Sequence, residues 1–208
     1  MKNFTFILVL FFLFSISGKI YANSIDREIQ HFINKNRSET LDEVTSFFNQ
    51  FGSAGSLIIP VLGYGYGIAN EDEHIKITSE KAIYASIIAV SIVFPLKYAV
   101  ARKRPDKSDN LSFPSGHTAL STAIFVTYGK NSEGIKKYLF YSIPFMVGFS
   151  RIYKNHHYFS DVVGGGLVGY LSVILAEKFD NFYKKRLKAY PFCDLYDKNA
   201  GLKINYIF

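Results

Sequence analysis

Three short blocks in the second half of the chain contain side chains that could act on a phosphate group. In chain order they are Lys97 to Arg104-Pro105, then Pro114-Ser115-Gly116-His117, then Arg151 to His157 to Asp161. Together they supply three cations, two imidazoles and one carboxylate. Such groups can bind a phosphate, attack it and move the protons, so they form a complete set for phosphoryl transfer without a metal.

The first block predicts two cations at the end of a helix. Lys97 and Arg104 lie seven residues apart, which on an α-helix is two turns, so both side chains point to nearly the same face. Pro105 has no backbone N–H and disfavours helical geometry at Arg104. The helix is therefore predicted to end close to Arg104, with both cations directed into one pocket.

The second block predicts a helix start that binds an anion. Pro114 stands where a helix can begin, so the amides of Ser115, Gly116 and His117 are expected to be free first-turn donors. Such a terminus attracts anions through these N–H groups and the helix dipole. Gly116 allows close approach of the backbone because it has no Cβ, and His117 can give or take a proton near neutral pH.

The third block predicts an oriented imidazole beside another cation. His157 and Asp161 are four residues apart, the spacing at which helical side chains touch. A carboxylate on one ring nitrogen leaves the other nitrogen as a nucleophile or a base. Arg151 adds a planar fork of donors that suits phosphate oxygens.

Each block has a simpler explanation when it is taken alone. A lysine and an arginine near a helix end usually form a solvated or membrane-anchoring surface, and Ser-Gly after a proline usually starts a helix or a turn. A histidine four residues from an aspartate is most often a surface pair. The presence of all three blocks in this order favours one shared site, and the chain is therefore interpreted as an enzyme.

The three blocks closely resemble the signature of the type 2 phosphatidic acid phosphatase superfamily, which also includes vanadium-dependent haloperoxidases and bacterial class A acid phosphatases. The segments that start at Lys97, Pro114 and Ser150 match that signature at every position, as K-x6-R-P, P-S-G-H and S-R-x5-H-x3-D. The resemblance covers about residues 45–178. The short intervals between the blocks are similar to those of the small bacterial members.

The resemblance implies a mechanism and a role for each residue. His157, oriented by Asp161, would attack phosphorus and form a phosphohistidine. His117 would protonate the departing oxygen and then activate the water that hydrolyses the intermediate. The groups implied to hold the phosphate oxygens are Lys97, Arg104, Arg151, the Ser115 side chain and the Gly116 amide. No metal or cofactor is implied, and His156 is interpreted as a spacer or a pocket-wall residue.

The composition places these blocks in one domain. The chain has 208 residues, 49% of them hydrophobic and 17% aromatic, which suits one full core rather than two.

Residues 1–22 combine Lys2, an apolar run and a small residue before Asn23, and predict a signal peptide or a signal anchor. Residues 23–188 form the predicted phosphatase domain. Residues 189–208 are a tail of unknown role whose end alternates like a strand, and the single Cys193 excludes an internal disulfide.

The apolar pattern predicts helices throughout the domain. Residues 24–50 predict one or two amphipathic helices, to which no chemistry is assigned. Five longer segments lack strand alternation and predict core helices, with Gly164-Gly165-Gly166 and Gly169 suited to close helix contacts. They are residues 54–69, 82–100, 117–128, 138–149 and 162–176. The predicted fold is an all-α bundle of about five core helices, preceded by the signal segment and the amphipathic helices.

Charge placement favours a membrane bundle over a soluble one, although several segments are short for a span. If the helices span, the three blocks lie on one side, and lysine-rich segments near residues 130–137 and 184–188 lie on the other. The expectation is a bacterial cytoplasmic-membrane protein whose site faces the periplasm or the outside. The net charge of +7 then has a membrane explanation. Neither a nucleic acid nor a protein is predicted as a partner.

The predicted function is hydrolysis of phosphomonoester or pyrophosphate groups of lipids. Undecaprenyl pyrophosphate, phosphatidylglycerol phosphate, phosphatidate and lipid A phosphates all fit, and the sequence does not choose among them. A soluble periplasmic acid phosphatase, a lipid phosphotransferase and a non-enzymatic membrane scaffold stay open as alternatives. Halide oxidation with vanadate is chemically possible at such a site, but the chain has no Trp and lacks the length of those enzymes.

Overall fold

The computed structural model describes residues 22–194 and 199–206. In these residues seven α-helices follow one another, and a pair of strands comes last. The helices are α1 (Ser24–Lys35), α2 (Glu39–Gln50), α3 (Ser56–Ala69), α4 (Glu73–Val100), α5 (Gly116–Lys130), α6 (Gly134–Tyr153) and α7 (Phe159–Arg186). A π-helical turn, Phe51–Gly55, joins α2 to α3. The predicted signal segment, residues 1–22, lies outside the described residues except for Ala22, so it stays a prediction.

The predicted all-α bundle is confirmed, with α3 to α7 as its core helices. The central helix is α5, which packs against α4, α6 and α7. Leu120, Ile124 and Phe125 form one buried cluster on α5, and burying each such side chain contributes about 1.5–3 kcal/mol. Ala123 joins a second cluster on the other side of the helix. The start of α5 is therefore held in the middle of one end of the bundle.

Glycines of α7 allow it to approach α5 closely. A Cβ at Gly165 would lie 2.4 Å from the carbonyl oxygen of Ser115, and one at Gly169 would lie 2.4 Å from the carbonyl oxygen of Ala119. Gly166, between them, faces open space. The predicted close contact is therefore confirmed at Gly165 and Gly169, and it fixes the position of the first turns of α5.

The loops between the core helices alternate between the two ends of the bundle. The end of α4, the start of α5, the end of α6 and the start of α7 all lie at one end. Residues 101–115 and 154–158 therefore come together there. The turns at residues 70–72 and 131–133 lie at the opposite end.

Two of the described helices are long and apolar enough to cross a membrane. They are Glu73–Val100, with 28 residues, and Phe159–Asp180, with 22 residues, and a span needs about 20. Large apolar side chains also face outward from the bundle, such as Phe94 of α4 and Phe145 of α6, which are 56% and 78% exposed. An outer surface of this kind suits a lipid environment.

Two amphipathic helices precede the core, as predicted, but α1 buries an unexpected face. Its buried residues are Asp26, Gln30 and Ile33, whereas the apolar Ile25 and Phe32 are exposed. Asn23 caps the helix by accepting a hydrogen bond from the Asp26 amide over 2.7 Å. The polar residues Asp26 and Gln30 on this buried face have hydrogen-bond partners in the first and third blocks.

The tail contains a hairpin. In the described residues β1 (Leu187–Asp194) pairs antiparallel with β2 (Asn199–Tyr206), and Leu187 stands opposite Tyr206. The strand-like alternation predicted at the end of the chain falls in β2 as far as Tyr206, and its last two residues lie outside the described part of the chain. This pair of strands follows the helical bundle directly after α7.

Candidate active site

The three sequence blocks meet around a cavity of about 430 Å³ at one end of the bundle. Six of the eight predicted site residues line it, namely Lys97, Arg104, Gly116, His117, Arg151 and His157. The rest of the wall is mostly apolar and comes from the π-helical turn, α3, α4 and α5. The cavity therefore joins a cationic, imidazole-bearing end to an apolar side.

The first block brings its two cations together through a loop rather than along one helix. The prediction that the helix ends near Arg104 is wrong, because α4 ends at Val100 and Ala101 adopts a left-handed φ of 48° that turns the chain. Lys97 stays in the last turn of α4, with Nζ 2.5 Å from the Leu111 carbonyl oxygen. Arg104 lies in the loop and lines the same cavity.

Arg104 is held from two sides. Its Nε donates to Asp109 Oδ1 over 2.6 Å, and its Nη1 donates to the carbonyl oxygen of His156 over 3.3 Å. Asp109 also accepts from the Leu111 amide over 2.7 Å. Partial burial opposes ionisation of Asp109, but these amide and guanidinium donors lower its pKa below the usual value. The ionised carboxylate therefore anchors Arg104 at the cavity.

The second block starts a helix as predicted, with Ser115 as its N-cap. The Ser115 hydroxyl is fully buried and bonded to Thr118 Oγ1 over 2.9 Å, so it lies behind the cavity wall. Its amide is not free, since it donates to the Asp161 carbonyl oxygen. Gly116 and His117 line the cavity in the first turn, where N–H groups have no intrahelical acceptor.

The third block places its residues on three different elements. Arg151 lies in the last turn of α6, where its Nη1 donates to Asn49 Oδ1 of α2. His157 lies in the connection between α6 and α7, and Asp161 lies in the first turn of α7. The spacing of four residues is thus not a helical contact, because His157 precedes the helix. The side chains still face each other, with 3.7 Å between Nδ1 and Oδ2.

The distance between His157 and Asp161 exceeds a hydrogen bond because other donors occupy the carboxylate. Ser112 Oγ lies 2.5 Å and the Tyr158 amide 2.8 Å from Oδ2, and Arg102 binds Oδ1. Burial lowers the pKa of His157 to about 4, although the Asp161 carboxylate opposes this and the Arg151 charge adds to it. The free imidazole is therefore neutral, as a nucleophile must be.

His156 lies at the mouth of the site rather than in the cavity wall. Its side chain is partly exposed, and Nδ1 lies 3.0 Å from Asp106 Oδ2. Slight burial of Asp106 favours its neutral form, but hydrogen bonds from the Ser108 amide and hydroxyl and from His156 lower its pKa to about 2. This pair fastens residues 101–115 to the connection that carries His157.

Sequence reasoning missed several polar residues that hold the site, among them Asn49, Arg102, Asp109 and Ser112. Arg102 lies inside the first block, but nothing in its spacing distinguishes it from the exposed Lys103. Asn49 and Ser112 each supply one hydrogen bond to a predicted site residue. A polar residue at the boundary of a loop or helix gives no sequence signal of its partner.

Two solved structures share this fold, and one of them is named as a phosphatase. Aquifex aeolicus LpxE superposes with a TM-score of 0.66 and 25% identity, over 77% of this chain and 99% of that one. The first transmembrane PAP2 type phosphatidylglycerolphosphate phosphatase from Bacillus subtilis gives a TM-score of 0.64 and 25% identity, over 84% of this chain and 94% of that one.

Relatives with similar sequences carry names of the same kind. Lipid A 1-phosphatase of Porphyromonas gingivalis is 39% identical over 79 residues, which are 36% of this chain and 18% of that protein. Phosphatidylglycerophosphatase B of Bacillus subtilis is 30% identical over 105 residues, which are 43% of this chain and 52% of that protein. The matches thus span about half or less of these relatives.

The family model described as the PAP2 superfamily matches residues 81–184, which is half of the chain's 208 residues. This range contains all three blocks, and with them every residue predicted for the site. The match confirms the resemblance that the motifs indicated, and this chain belongs to the PAP2 superfamily.

Proposed function

We propose that the protein is a metal-independent lipid phosphatase that hydrolyses phosphomonoester or pyrophosphate groups through a phosphohistidine. The observation that carries this proposal is the cavity itself, where two imidazoles and three cations converge. Cations placed where charge develops stabilise the transition state of phosphoryl transfer. A second support is that two relatives and one structural neighbour are named as lipid phosphatases.

The first step transfers the phosphoryl group to His157. Because Nδ1 faces Asp161, the attacking atom is Nε2. A bond forms between Nε2 and phosphorus while the bond from phosphorus to the lipid oxygen breaks, and His117, protonated beside the bound phosphate, gives its proton to that oxygen. Asp161 holds the ring and offsets the positive charge that builds on it.

The second step releases phosphate. His117, now neutral, takes a proton from water as the water oxygen attacks phosphorus, and the bond from phosphorus to Nε2 breaks. His157 returns to its neutral form and His117 regains the proton it lost. The two imidazoles therefore end the cycle as they began it.

The phosphate oxygens are assigned to Lys97, Arg104, Arg151 and the Gly116 amide. These four groups come from α4, α5, α6 and the loop before α5, so they can surround one phosphorus atom. Ser115 keeps a role in the proposal as the N-cap that presents the Gly116 amide, because its hydroxyl is bonded to Thr118.

The apolar side of the cavity supports a lipid substrate. Leu57, Val90 and Phe94 line it and are 41%, 39% and 56% exposed. A lipid tail that extends from the phosphate along these side chains would pass directly to the outside of the bundle. Phosphatidylglycerol phosphate, lipid A phosphates, phosphatidate and undecaprenyl pyrophosphate all share a phosphate attached to such a tail.

The proposed location is the bacterial cytoplasmic membrane, with the cavity facing the periplasm or the outside. Lysines cluster around the turn between α5 and α6 and at the end of α7, opposite the cavity, and positive segments of this kind favour the cytoplasm. Single cysteines in a Cys193→Ser background test this orientation. A membrane-impermeant maleimide should label Asn110→Cys in intact cells, and Ser132→Cys only after permeabilisation; the reverse pattern would refute it.

The activity itself is tested with purified protein and a panel of lipid phosphates in EDTA. We expect turnover in EDTA, a loss of more than about a thousandfold in His157→Ala and His117→Ala, and full activity in His74→Ala, whose side chain is exposed at the opposite end. Activity in His157→Ala, or its loss in EDTA, would reject the mechanism. Turnover of soluble esters alone would indicate an acid phosphatase, and transfer to an added lipid acceptor would indicate a phosphotransferase.

A further inference from the structure

A buried arginine joins α1 to the third block. Arg102 is 3% exposed. Its Nη1 donates to Asp161 Oδ1 over 2.5 Å and to Ser160 Oγ over 2.7 Å, and its Nη2 donates to Asp26 Oδ2 over 2.7 Å. The Tyr158 ring covers the guanidinium, with its centroid 4.5 Å away. One guanidinium is thus shared between two buried carboxylates.

Asp26 is held as firmly as Arg102. It is 1% exposed, its Oδ1 accepts from the Ser160 amide over 2.9 Å, and its Oδ2 accepts from the Ser160 hydroxyl over 2.7 Å. A buried charge persists only when it is paired and hydrogen-bonded. The set of Asp26, Arg102 and Asp161 therefore behaves as one unit with a net charge of about −1.

A second contact ties α1 to the same place. Gln30 Nε2 donates to Asn155 Oδ1 over 2.5 Å and to the Ile152 carbonyl oxygen over 3.0 Å. Both partners lie just before His157 in the chain. The polar face of α1 is thus buried against the connection between α6 and α7 that carries His157. The helix α1 nevertheless lies outside the residues 81–184 that the family model matches.

We propose that α1 is part of the active site, and that Asp26 and Arg102 are positioning residues for the reaction at His157. Arg102 binds Oδ1 of Asp161 and so leaves Oδ2 turned toward the imidazole. Asp26 fixes the other branch of the guanidinium and supplies negative charge that balances it. This inference rests on the proposed function, because it concerns the geometry of the same nucleophile.

The charge on Asp26 matters because cations already surround His157. The charges of Arg151 on α6 and Lys97 on α4 lower the pKa of His157, and the Asp161 carboxylate raises it. His117 faces His157 from α5. Replacing Asp26 by Asn keeps the shape but removes one negative charge, and it turns an amide N–H toward a guanidinium N–H. Arg102 would then pull Asp161 away from the imidazole. The positive charge that builds on His157 during the reaction would be less balanced.

The test uses the full chain with Asp26→Asn and Arg102→Lys. We expect each to lower kcat about tenfold while KM stays within about twofold, as for the loss of one charge-assisted hydrogen bond that acts in the transition state. The matched controls are Glu28→Gln on α1 and Lys103→Gln beside Arg102, both exposed, and both should retain wild-type kcat. If either main variant does not fold, Ser160→Ala replaces it, with kcat expected to fall about threefold.

A second readout separates this inference from the proposed function. The His157 imidazole is followed by NMR as a function of pH, and in Asp26→Asn it should titrate at lower pH than in wild type. If wild type hydrolyses no phosphate but this shift occurs, the proposed function fails and the inference stands. The inference is overturned if wild type is active, His157→Ala is inactive, and Asp26→Asn changes neither kcat nor the His157 titration. Where Ser160→Ala replaces a main variant that does not fold, an unchanged kcat in Ser160→Ala overturns it as well.

Discussion

The amide of Ser115 donates a hydrogen bond to the carbonyl oxygen of Asp161 over 2.9 Å. This bond joins the second block to the third through the backbone alone. Because Ser115 starts α5 and Asp161 faces His157, the helix terminus and the carboxylate beside the imidazole cannot move independently. The close approach of Gly165 to Ser115 makes this contact possible.

Adding a methyl group at Gly165 should therefore damage the site from behind. In Gly165→Ala the new Cβ meets the Ser115 carbonyl oxygen, so we expect a loss of about 1–3 kcal/mol in the free energy of unfolding together with reduced kcat. Gly166→Ala is the matched control, because its Cβ enters open space and alanine favours the helix. Thermal unfolding and turnover are measured in detergent. Equal stability of the two variants would contradict the close contact between Gly165 and the Ser115 carbonyl oxygen.

Asn49 should matter for phosphate binding although it does not line the cavity. It accepts from Arg151 Nη1, and without it the guanidinium can rotate out of the cavity. We expect Asn49→Ala to lower kcat/KM about tenfold, the size of one hydrogen bond to a charged group. Glu43→Ala, exposed on the same helix, is the control. An unchanged kcat/KM in Asn49→Ala would show that Arg151 needs no support from α2.

Changes in the apolar wall of the cavity should alter KM for lipid substrates and leave KM for soluble esters unchanged. Phe94 lines the cavity and is half exposed, so Phe94→Ser should raise KM for a long-chain lipid phosphate about tenfold, since partial loss of an aromatic contact costs on the order of 1.5 kcal/mol. KM for a short-chain soluble ester should not change. Phe145→Ser on α6 lies outside this cavity and serves as the control. A similar rise for both substrates would argue against a tail at Phe94.

The depressed pKa of His157 predicts activity in acid. Its ordinary pKa is near 6.5 and burial lowers it to about 4, so the neutral nucleophile persists as the pH falls to about 4. The acidic limb of kcat/KM, which reports the nucleophile of the free enzyme, should therefore be centred near pH 4. Between pH 4 and 6.5 the His157 imidazole is protonated in the unfolded chain and neutral in the folded protein. The free energy of unfolding should therefore fall as the pH drops from 6.5 to 4. An acidic limb near pH 6.5 would contradict this assignment.

The sequence revealed which residues meet but not how the backbone brings them together. The motif residues Lys97, Gly116 and His157 line one cavity, because residue types with joint chemistry are informative even at a distance in the chain. The predicted end of α4 near Arg104 is wrong, because a left-handed Ala101 has no signature in sequence. His157 and Asp161 face each other from a connection and a helix, so the four-residue spacing indicated the contact for the wrong reason.

The role of α1 could not be read from its pattern. Its most apolar residues, Ile25 and Phe32, are exposed, and its buried face carries Asp26 and Gln30. Hydrophobic periodicity assigns the inner face to apolar side chains, and it fails where the neighbouring surface is a buried arginine. Only the three-dimensional position of Arg102 identifies Asp26 as a buried partner.

The alternation of loops between the two ends of the bundle has a practical consequence for engineering the chain. The turn at residues 131–133 joins α5 to α6 at the end that carries none of the three blocks. A fluorescent domain or an affinity handle inserted there leaves the cavity and its backbone hydrogen bonds untouched, whereas a handle joined close to Asn23 would disturb the cap of α1. Labelled protein for imaging in cells is therefore best made from an internal fusion at this turn.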